Sequence, residues 1–127
     1  MKSFVGALLA VLILALGLTA LSCKKKSNPV GPGGGGGADV TINIIADSGP
    51  GAFGGTHTVL VGKTVAWHNT RGTTHTSTST GGPAGGQWNT GLIGGGLTSA
   101  PIQMNTVGTY PYECSIHPTM TDTLVVQ

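Results

Sequence analysis

Three side chains with metal-binding chemistry lie close together near the end of the chain, in the segment YECSIHPTM at residues 112–120. Cys114 offers a thiolate, His117 an imidazole and Met120 a thioether, each separated from the next by two residues. The two sulfur ligands stabilise Cu(I), whereas imidazole binds both Cu(I) and Cu(II). Two histidines, one cysteine and a weak axial methionine form the arrangement typical of electron-transfer copper. The segment therefore predicts a copper site.

A site of this type needs a second histidine from elsewhere in the chain. His75, in the segment GTTHTST, is the candidate because it lies just beyond a predicted strand with the sequence TVAWH. His57 and His68 have no cysteine or methionine beside them, which favours a surface or edge-strand position over a metal role. Methionine also fills irregular gaps in cores, so Met104 is the alternative axial ligand if Met120 is only a core residue.

Other metal chemistries and hydrolytic catalysis have no support in the sequence. A binuclear copper centre would need a second cysteine nearby and a multicopper oxidase would need His-x-His pairs, and neither occurs. A tetrahedral structural zinc site does not use a thioether. There is no convincing Ser-His-Asp arrangement, and four carboxylates are too few to stage acid–base hydrolysis. We therefore do not expect an enzyme.

The charge distribution excludes nucleic-acid binding. The whole chain has a formal charge of +2, but four of its six basic residues precede residue 27. From residue 39 onward, two basic residues stand against four acidic ones, so this part is weakly acidic. Without a basic stripe, and with few aromatic residues to stack on bases, it has no surface that matches a nucleic acid.

The elements that must position the candidate ligands are short strands. Charged residues make up 8% of the chain and glycine occupies 23 positions, which favours strands and tight turns over long surface helices. Residues 81–96 contain eight glycines and predict a long irregular connection. Alternating or β-branched patterns predict strands at 39–46, 58–61, 64–68, 73–80, 98–104, 108–114 and 121–126. This pattern, without helical periodicity, predicts an all-β fold, a β-sandwich.

Residues 39–127 resemble the cupredoxin family, which includes the plastocyanins, amicyanins and pseudoazurins. The similarity is strongest at residues 108–120, GTYPYECSIHPTM, where the family pattern is G-T-Y-x-Y-x-C-x-x-H-P-x-M. It is weaker at residues 64–69, TVAWHN, followed by His75. The short Cys-x₂-His-x₂-Met loop is most similar to that of amicyanin.

The resemblance implies a Greek-key β-sandwich of about seven to eight strands that binds one copper, alternating between Cu(I) and Cu(II). It implies a monomer that exchanges electrons with donor and acceptor redox proteins docking near the exposed edge of His117. The apolar surface there would come from Ile116, Pro118 and the Leu92-Ile93 loop. The ligands implied are His75, Cys114 and His117 in the equatorial plane and Met120 as the axial ligand.

One position departs from the family pattern. The family often places asparagine directly after the first histidine ligand, where it hydrogen-bonds across to the ligand loop, and this chain has Thr76 there. We expect the Thr76 hydroxyl to take over this role and to pair near Ser115. The departure bears on the rigidity and reduction potential of the site rather than on metal binding itself.

The chain begins with a segment typical of exported proteins. A short basic start is followed by almost wholly apolar residues 4–21, which predicts a signal peptide over residues 1–22. The residues ALSC at 20–23 resemble a bacterial lipobox and predict lipidation of Cys23. The apolar stretch is also long enough for an uncleaved membrane anchor, and a disulfide between Cys23 and Cys114 is a further alternative in an oxidising compartment.

A tether follows the predicted lipidation site. Lys24, Lys25 and Lys26 would sit against anionic lipid head groups, and the glycine-rich residues up to 38 cannot form a core. We therefore predict a flexible linker over residues 24–38 and a cupredoxin-like domain over residues 39–127. The expected location is the periplasmic or extracellular side of a bacterial membrane.

Two other functions remain open from the sequence. The same ligands would serve a copper storage or delivery module, which needs an exchangeable metal. The domain could also be a lipid-anchored interaction module whose metal site is vestigial. The resemblance to the cupredoxin family favours a one-electron carrier over both.

Overall fold

The computed structural model describes residues 37–127. The predicted signal peptide, Cys23 and the linker up to residue 36 lie outside the described residues, so their assignments stay predictions. Within residues 37–127 the chain forms strands and turns without a helix, and no helix long and apolar enough to cross a membrane is found there.

Seven strands in the described part of the chain form two sheets that pack as a β-sandwich. The first sheet has the order β1-β3-β5, with β1 parallel and β5 antiparallel to β3. The second has the order β2-β7-β6-β4, with β2 parallel to β7 and the other neighbours antiparallel. The predicted all-β sandwich is confirmed. The strands are β1 (Val40–Ile44), β2 (His57–Val59), β3 (Thr64–Asn69), β4 (Thr78–Ser79), β5 (Ile102–Gln103), β6 (Gly108–Cys114) and β7 (His117–Val126).

The core lies between the sheets and takes residues from both. Aromatic rings dominate it: the indoles of Trp67 and Trp88 stack with centroids 5.3 Å apart, and the ring of Tyr112 lies 5.6 Å from that of Trp88. Such ring pairs contribute beyond the apolar area that they bury. This packing ties the middle of β6 to β3 in the opposite sheet. The aliphatic core residues include Ile42, Ile44, Val65, Leu124 and Val126.

The strand register defines two ends of the sandwich. Val40 pairs with Val65 at one end of the parallel pair β1 and β3, and Ile44 pairs with Asn69 at the other. At 3.3 Å per residue these ends are about 13 Å apart. We call the end with Asn69 the upper end and the end with Val40 the lower end. The turn that joins β6 to β7 lies at the upper end.

The predicted strand over residues 73–80 is wrong in extent. Only Thr78 and Ser79 join the sheet as β4, whereas His75 forms an isolated bridge with Ile93. The cause is the glycine-rich connection, which folds back along this segment and takes its hydrogen bonds. Backbone N–H groups of His75 and Ser79 donate to the carbonyls of Ile93 at 3.0 Å and Trp88 at 3.1 Å.

The glycine-rich connection packs tightly against the ring of Tyr110. Gly82 and Gly86 lie so close to this ring that an added Cβ at either position would overlap it. The ring is held in place because its hydroxyl donates to the carbonyl of Thr106 at 2.8 Å. The connection can therefore pack in this way only because both positions are glycine. It also supports His75 through the backbone hydrogen bonds of Ile93.

Replacing Gly82 by alanine is expected to lower the free energy of unfolding by about 3 kcal/mol, from a strained backbone and overlap with Tyr110. Gly85→Ala is the matched control: both glycines have positive φ, 107° and 83°, but a Cβ at Gly85 meets nothing within 4 Å. The control should lose only about 1–2 kcal/mol. Urea unfolding measures both. Equal losses would contradict the tight packing against Tyr110.

Candidate metal centre

A two-residue turn places two of the candidate ligands opposite each other. β6 ends at Cys114 and β7 begins at His117, so only Ser115 and Ile116 connect them. Cys114 and His117 are register partners in the antiparallel ladder. Partners of this kind project their side chains from the same face of the sheet. The Cys-x₂-His spacing thus becomes a hairpin that brings a thiol and an imidazole together.

The ladder is irregular immediately beside this pair. Glu113 pairs with Thr121, whereas the next residue of β6, Cys114, pairs with His117. Residues 118–120 of β7 therefore have no register partners in β6, which is a bulge of the kind that re-aims side chains. Met120 belongs to this bulge and is completely buried in the same core cluster as Cys114. Its assignment as axial ligand stays a prediction.

His75 is held at the upper end by backbone pairing. It exchanges two hydrogen bonds with Ile93, at 3.0 Å through its own N–H and at 2.7 Å through its carbonyl. The side chain of Asn69, at the end of β3, donates to the carbonyls of Ile93 and Thr73 at 2.8 and 2.7 Å. These contacts hold the ladder partner of the histidine and the segment just before it, and the His75 side chain is completely buried.

The three candidate equatorial ligands converge on one point. The sulfur of Cys114 lies 3.7 Å from Nδ1 of His75 and 3.7 Å from Nδ1 of His117, and the two nitrogens are 3.2 Å apart. The centre of this triangle is about 2 Å from every corner, near the roughly 2.0–2.3 Å of nitrogen and thiolate bonds to a first-row metal ion. The donor set and its spacing therefore fit a trigonal metal site.

The sulfur of Cys114 receives support from the segment that carries His75. The backbone N–H of Thr76 donates to the sulfur at 3.3 Å, and the Thr76 hydroxyl accepts the N–H of Ser115 at 2.8 Å. The expectation that Thr76 pairs near Ser115 is thus confirmed. Thr76 thus ties the two halves of the site together, through its hydroxyl to Ser115 and through its N–H to the sulfur. Cys114 is buried and forms no disulfide within residues 37–127.

The far nitrogen of His75 contacts a carboxylate. Nε2 lies 3.0 Å from Oδ1 of Asp47 and 2.9 Å from the hydroxyl of Thr73. The contact with the carboxylate favours the tautomer that carries its hydrogen on Nε2. In this tautomer Nδ1 is free to bind a metal. Hydrogen bonds from Arg71, and then from Thr73 and His75, hold the pKa of Asp47 well below its usual range. The carboxylate is therefore ionised at neutral pH.

The two histidines differ in exposure. His75 is completely buried, whereas His117 is partly exposed at the upper end. Ile116 beside it is 46% exposed and Leu92 is 75% exposed, so both belong to the accessible apolar surface that the sequence predicts. Pro118 is also exposed. Ile93, predicted to share this surface, is instead buried and pairs with His75.

The remaining histidines and methionine lie apart from this cluster. His57 bonds to the carbonyl of Phe53 at 2.9 Å and His68 to the hydroxyl of Thr98 at 2.9 Å. Met104 is near the lower end, where its backbone pairs with Gly62 and Lys63. Among the described residues, only His75, Cys114 and His117 form a group of such side chains with metal-ligand spacing.

No sequence pattern points to the residues that support His75. Asp47 lies 28 positions before the histidine, in a turn with glycine and proline whose acidic residue resembles many ordinary turn residues. Arg71 similarly looks like a solvated surface charge. A pattern search around each ligand finds Thr76, which is adjacent in sequence, but not contacts that depend on how the loops fold.

Solved structures match the chain, although no family model and no curated protein does. A methionine-to-alanine variant of amicyanin in its Cu(I) form matches with a TM-score of 0.56 and 22% identity, covering 69% of this chain and 81% of that chain. An oxidised methionine-to-leucine variant of amicyanin has a TM-score of 0.57 with the same identity and coverage. A copper-containing nitrite reductase from Thermus scotoductus has a TM-score of 0.59 and 23% identity, covering 69% of this chain but 22% of that chain.

These matches show the fold. The chain has the cupredoxin β-sandwich fold found in amicyanin, as the motif at residues 108–120 indicates. The amicyanin structures are matched over most of their length, whereas only a part of the nitrite reductase corresponds to this chain.

Replacing Thr76 by valine is expected to lower the free energy of unfolding by about 1–3 kcal/mol, because the N–H of Ser115 loses its acceptor. Thr78→Val is the matched control, since the Thr78 hydroxyl accepts an exposed hydrogen bond from the Ser115 side chain. That hydroxyl can be replaced by water, so the control should change stability by less than about 0.5 kcal/mol. Thermal unfolding of the two metal-free variants makes the comparison. If Thr78→Val loses as much stability as Thr76→Val, the special importance of the bond between Thr76 and the Ser115 N–H is contradicted.

Proposed function

We propose that the protein is a type 1 (blue) copper protein that carries single electrons at the extracytoplasmic face of a bacterial membrane. The observation that carries the proposal is the triangle formed by the Cys114 sulfur and the Nδ1 atoms of His75 and His117, with sides of 3.7, 3.7 and 3.2 Å. When bound, copper supplies a one-electron Cu(II)/Cu(I) couple. The protein then transfers an electron and transforms no substrate.

The residues around the site are suited to keeping one geometry in both oxidation states. Cys114 would bind as a thiolate that the Thr76 N–H stabilises, and both histidines would bind through Nδ1. His75 cannot turn away because its backbone is paired with Ile93 and its far nitrogen is held by Asp47. A site held rigidly by its surroundings needs little rearrangement when its charge changes. Met120 would complete the set as the weak axial ligand.

The burial of the ligands favours a carrier over a copper-delivery module. A delivery protein has to give up its metal to a partner, which requires several ligands to be accessible. Here Cys114 and His75 are completely buried, and only His117 is partly exposed. An electron can pass through the exposed edge of His117 while the metal remains inside. The vestigial alternative is disfavoured because the three donor atoms are still correctly spaced.

The apolar surface beside His117 supports docking of redox partners there. Ile116 and Pro118 flank the partly exposed histidine in the chain and are exposed, and Leu92 is exposed beside Ile93, the ladder partner of His75. Because these three side chains carry no charge, contact with them does not itself require a partner of one particular charge. Transient encounters of this kind need only a small contact area. We expect the protein to act as a monomer.

The position of the first described residues supports a tethered carrier. Asp39 lies at the lower end, where its carboxylate accepts hydrogen bonds from Thr64 and pairs with Lys63 at 3.1 Å. The candidate metal site is at the upper end. A lipid on Cys23, or an uncleaved anchor formed by residues 4–21, would therefore join the domain at the end away from the copper. Partners could then reach His117 without competing with the tether.

Copper-loaded protein is expected to show an intense visible absorption band and the narrow copper hyperfine splitting of a type 1 site. Cys114→Ser should abolish the band, because the colour arises from charge transfer between thiolate and copper. His57→Gln is the matched control and should keep both signals, since His57 bonds to the carbonyl of Phe53 outside the cluster. Visible absorption and electron paramagnetic resonance spectra measure the outcome. A Cys114→Ser variant that remained coloured would end the assignment.

Replacing His117 by glycine is expected to open the copper to small external ligands. Added imidazole should restore the absorption band of His117→Gly, because this residue is partly exposed. His75→Gly is the matched comparison: its position is completely buried, so the same imidazole concentration should restore much less colour. Equal rescue of the two variants would contradict the proposed route through His117. Rapid loss of Cu(I) from the unmodified protein to a mild chelator would favour copper delivery instead.

A further inference from the structure

The far side of His75 carries a polar cluster that none of the roles described above explains. Asp47 is in the turn between β1 and β2, and its Oδ1 lies 3.0 Å from Nε2 of His75. The opposite nitrogen of the same ring, Nδ1, is 3.7 Å from the sulfur of Cys114. One imidazole thus connects a charged carboxylate with the proposed copper site.

The position of Asp47 is well determined by its neighbours. The hydroxyl of Thr73 donates to Oδ1 at 2.6 Å and also lies 2.9 Å from Nε2 of His75. The turn that contains Asp47 is closed by a hydrogen bond from Ile45 to Ala52 at 2.8 Å. It is also attached to β7, because the N–H of Gly51 donates to the carbonyl of Thr121 at 3.1 Å. These hydrogen bonds hold the Asp47 carboxylate in a defined position at the upper end.

Arg71 occupies the other oxygen of the same carboxylate. Its Nε and Nη2 atoms donate to Oδ2 of Asp47 at 3.0 and 2.8 Å. The two oxygens are thus divided between a histidine that faces the copper site and a cation that faces away from it. Among the described residues, the other ion pair between a basic and an acidic side chain is that of Lys63 with Asp39 at the lower end.

We propose that Asp47 positions His75 for copper and that Asp47 and Arg71 together set the balance between Cu(II) and Cu(I). By accepting the N–H of Nε2, the carboxylate keeps Nδ1 free and makes the imidazole a stronger donor. A stronger donor and a nearby negative charge both favour the more highly charged Cu(II). Arg71 draws part of this charge away, so it favours Cu(I). This inference rests on the proposed copper site.

A purely structural role would have a different signature. The Asp47–Arg71 pair joins the turn after β1 to the segment before His75, so it could serve only to hold two loops together. Removing either partner would then loosen the site in the same way. An electrostatic role requires the two substitutions to move the copper equilibrium in opposite directions. The sign of the change therefore separates the two explanations.

The test compares Asp47→Asn and Arg71→Gln in the complete, copper-loaded protein at one fixed pH. Asparagine can still accept the N–H of Nε2 but lacks the negative charge, so affinity for Cu(II) relative to Cu(I) should fall, by roughly tenfold. Arg71→Gln should raise this ratio. Cyclic voltammetry measures this ratio as the reduction potential, which changes by about 59 mV for each tenfold change in the ratio. Shifts in the same direction, or none in either variant, would overturn the proposal.

Lys63→Gln is the matched control, because it breaks a surface ion pair at the lower end. Its reduction potential should equal that of the unmodified protein, and a shift as large as that of Arg71→Gln would overturn the proposal.

A second measurement needs no copper. Nitrogen-15 resonance spectra of the metal-free protein should show the hydrogen of neutral His75 on Nε2, and Asp47→Ala should give a mixture of the two tautomers. An unchanged tautomer in Asp47→Ala would show that Asp47 does not position the ring. If the unmodified protein binds no copper while the tautomer depends on Asp47, the positioning is supported and the proposed function is what fails.

Discussion

The Cys114–His117 pairing in the β6–β7 hairpin is the constraint on which the rest of the site depends. Antiparallel register places these two side chains on one face, and the two-residue turn leaves no freedom to separate them. The third donor has to come from another part of the chain. His75 must therefore be brought to the hairpin by other contacts, and at the upper end Ile93, Asn69 and Asp47 supply them.

The chain positions His75 with backbone hydrogen bonds rather than with a long strand. Its ladder partner is Ile93, which belongs to a connection rich in glycine. This connection can follow the segment closely because Gly82 and Gly86 let it rest on the ring of Tyr110. The aromatic core between the sheets supports this connection. Burying its rings also leaves two polar groups without hydrogen bonds within residues 37–127. The indole N–H of Trp67 and the hydroxyl of Tyr112 are buried without hydrogen-bond partners among the described residues, and burial raises the pKa of Tyr112.

The sequence could predict the parts of the structure that depend on local order. The alternation in the segments that became β1, β3 and β6 determines which side chains face inward, and the spacing of Cys114 and His117 determines the turn between them. Prediction was poorer where pairing is non-local. The strand expected at residues 73–80 was too long because its partner, the connection that contains Ile93, has no strand pattern of its own. Asp47 was missed for the same reason.

The contact of Asp47 with His75 at the upper end follows from the parallel pairing of β1 with β3. A parallel pair brings both strands to the same end, so the turn after β1 and the segment after β3 meet there. Asp47 belongs to the first and Arg71, Thr73 and His75 to the second. The contact between the carboxylate and the histidine is therefore a consequence of topology. An antiparallel arrangement of these strands would have sent the two segments to opposite ends, and His75 would have faced the metal without a charged partner behind it.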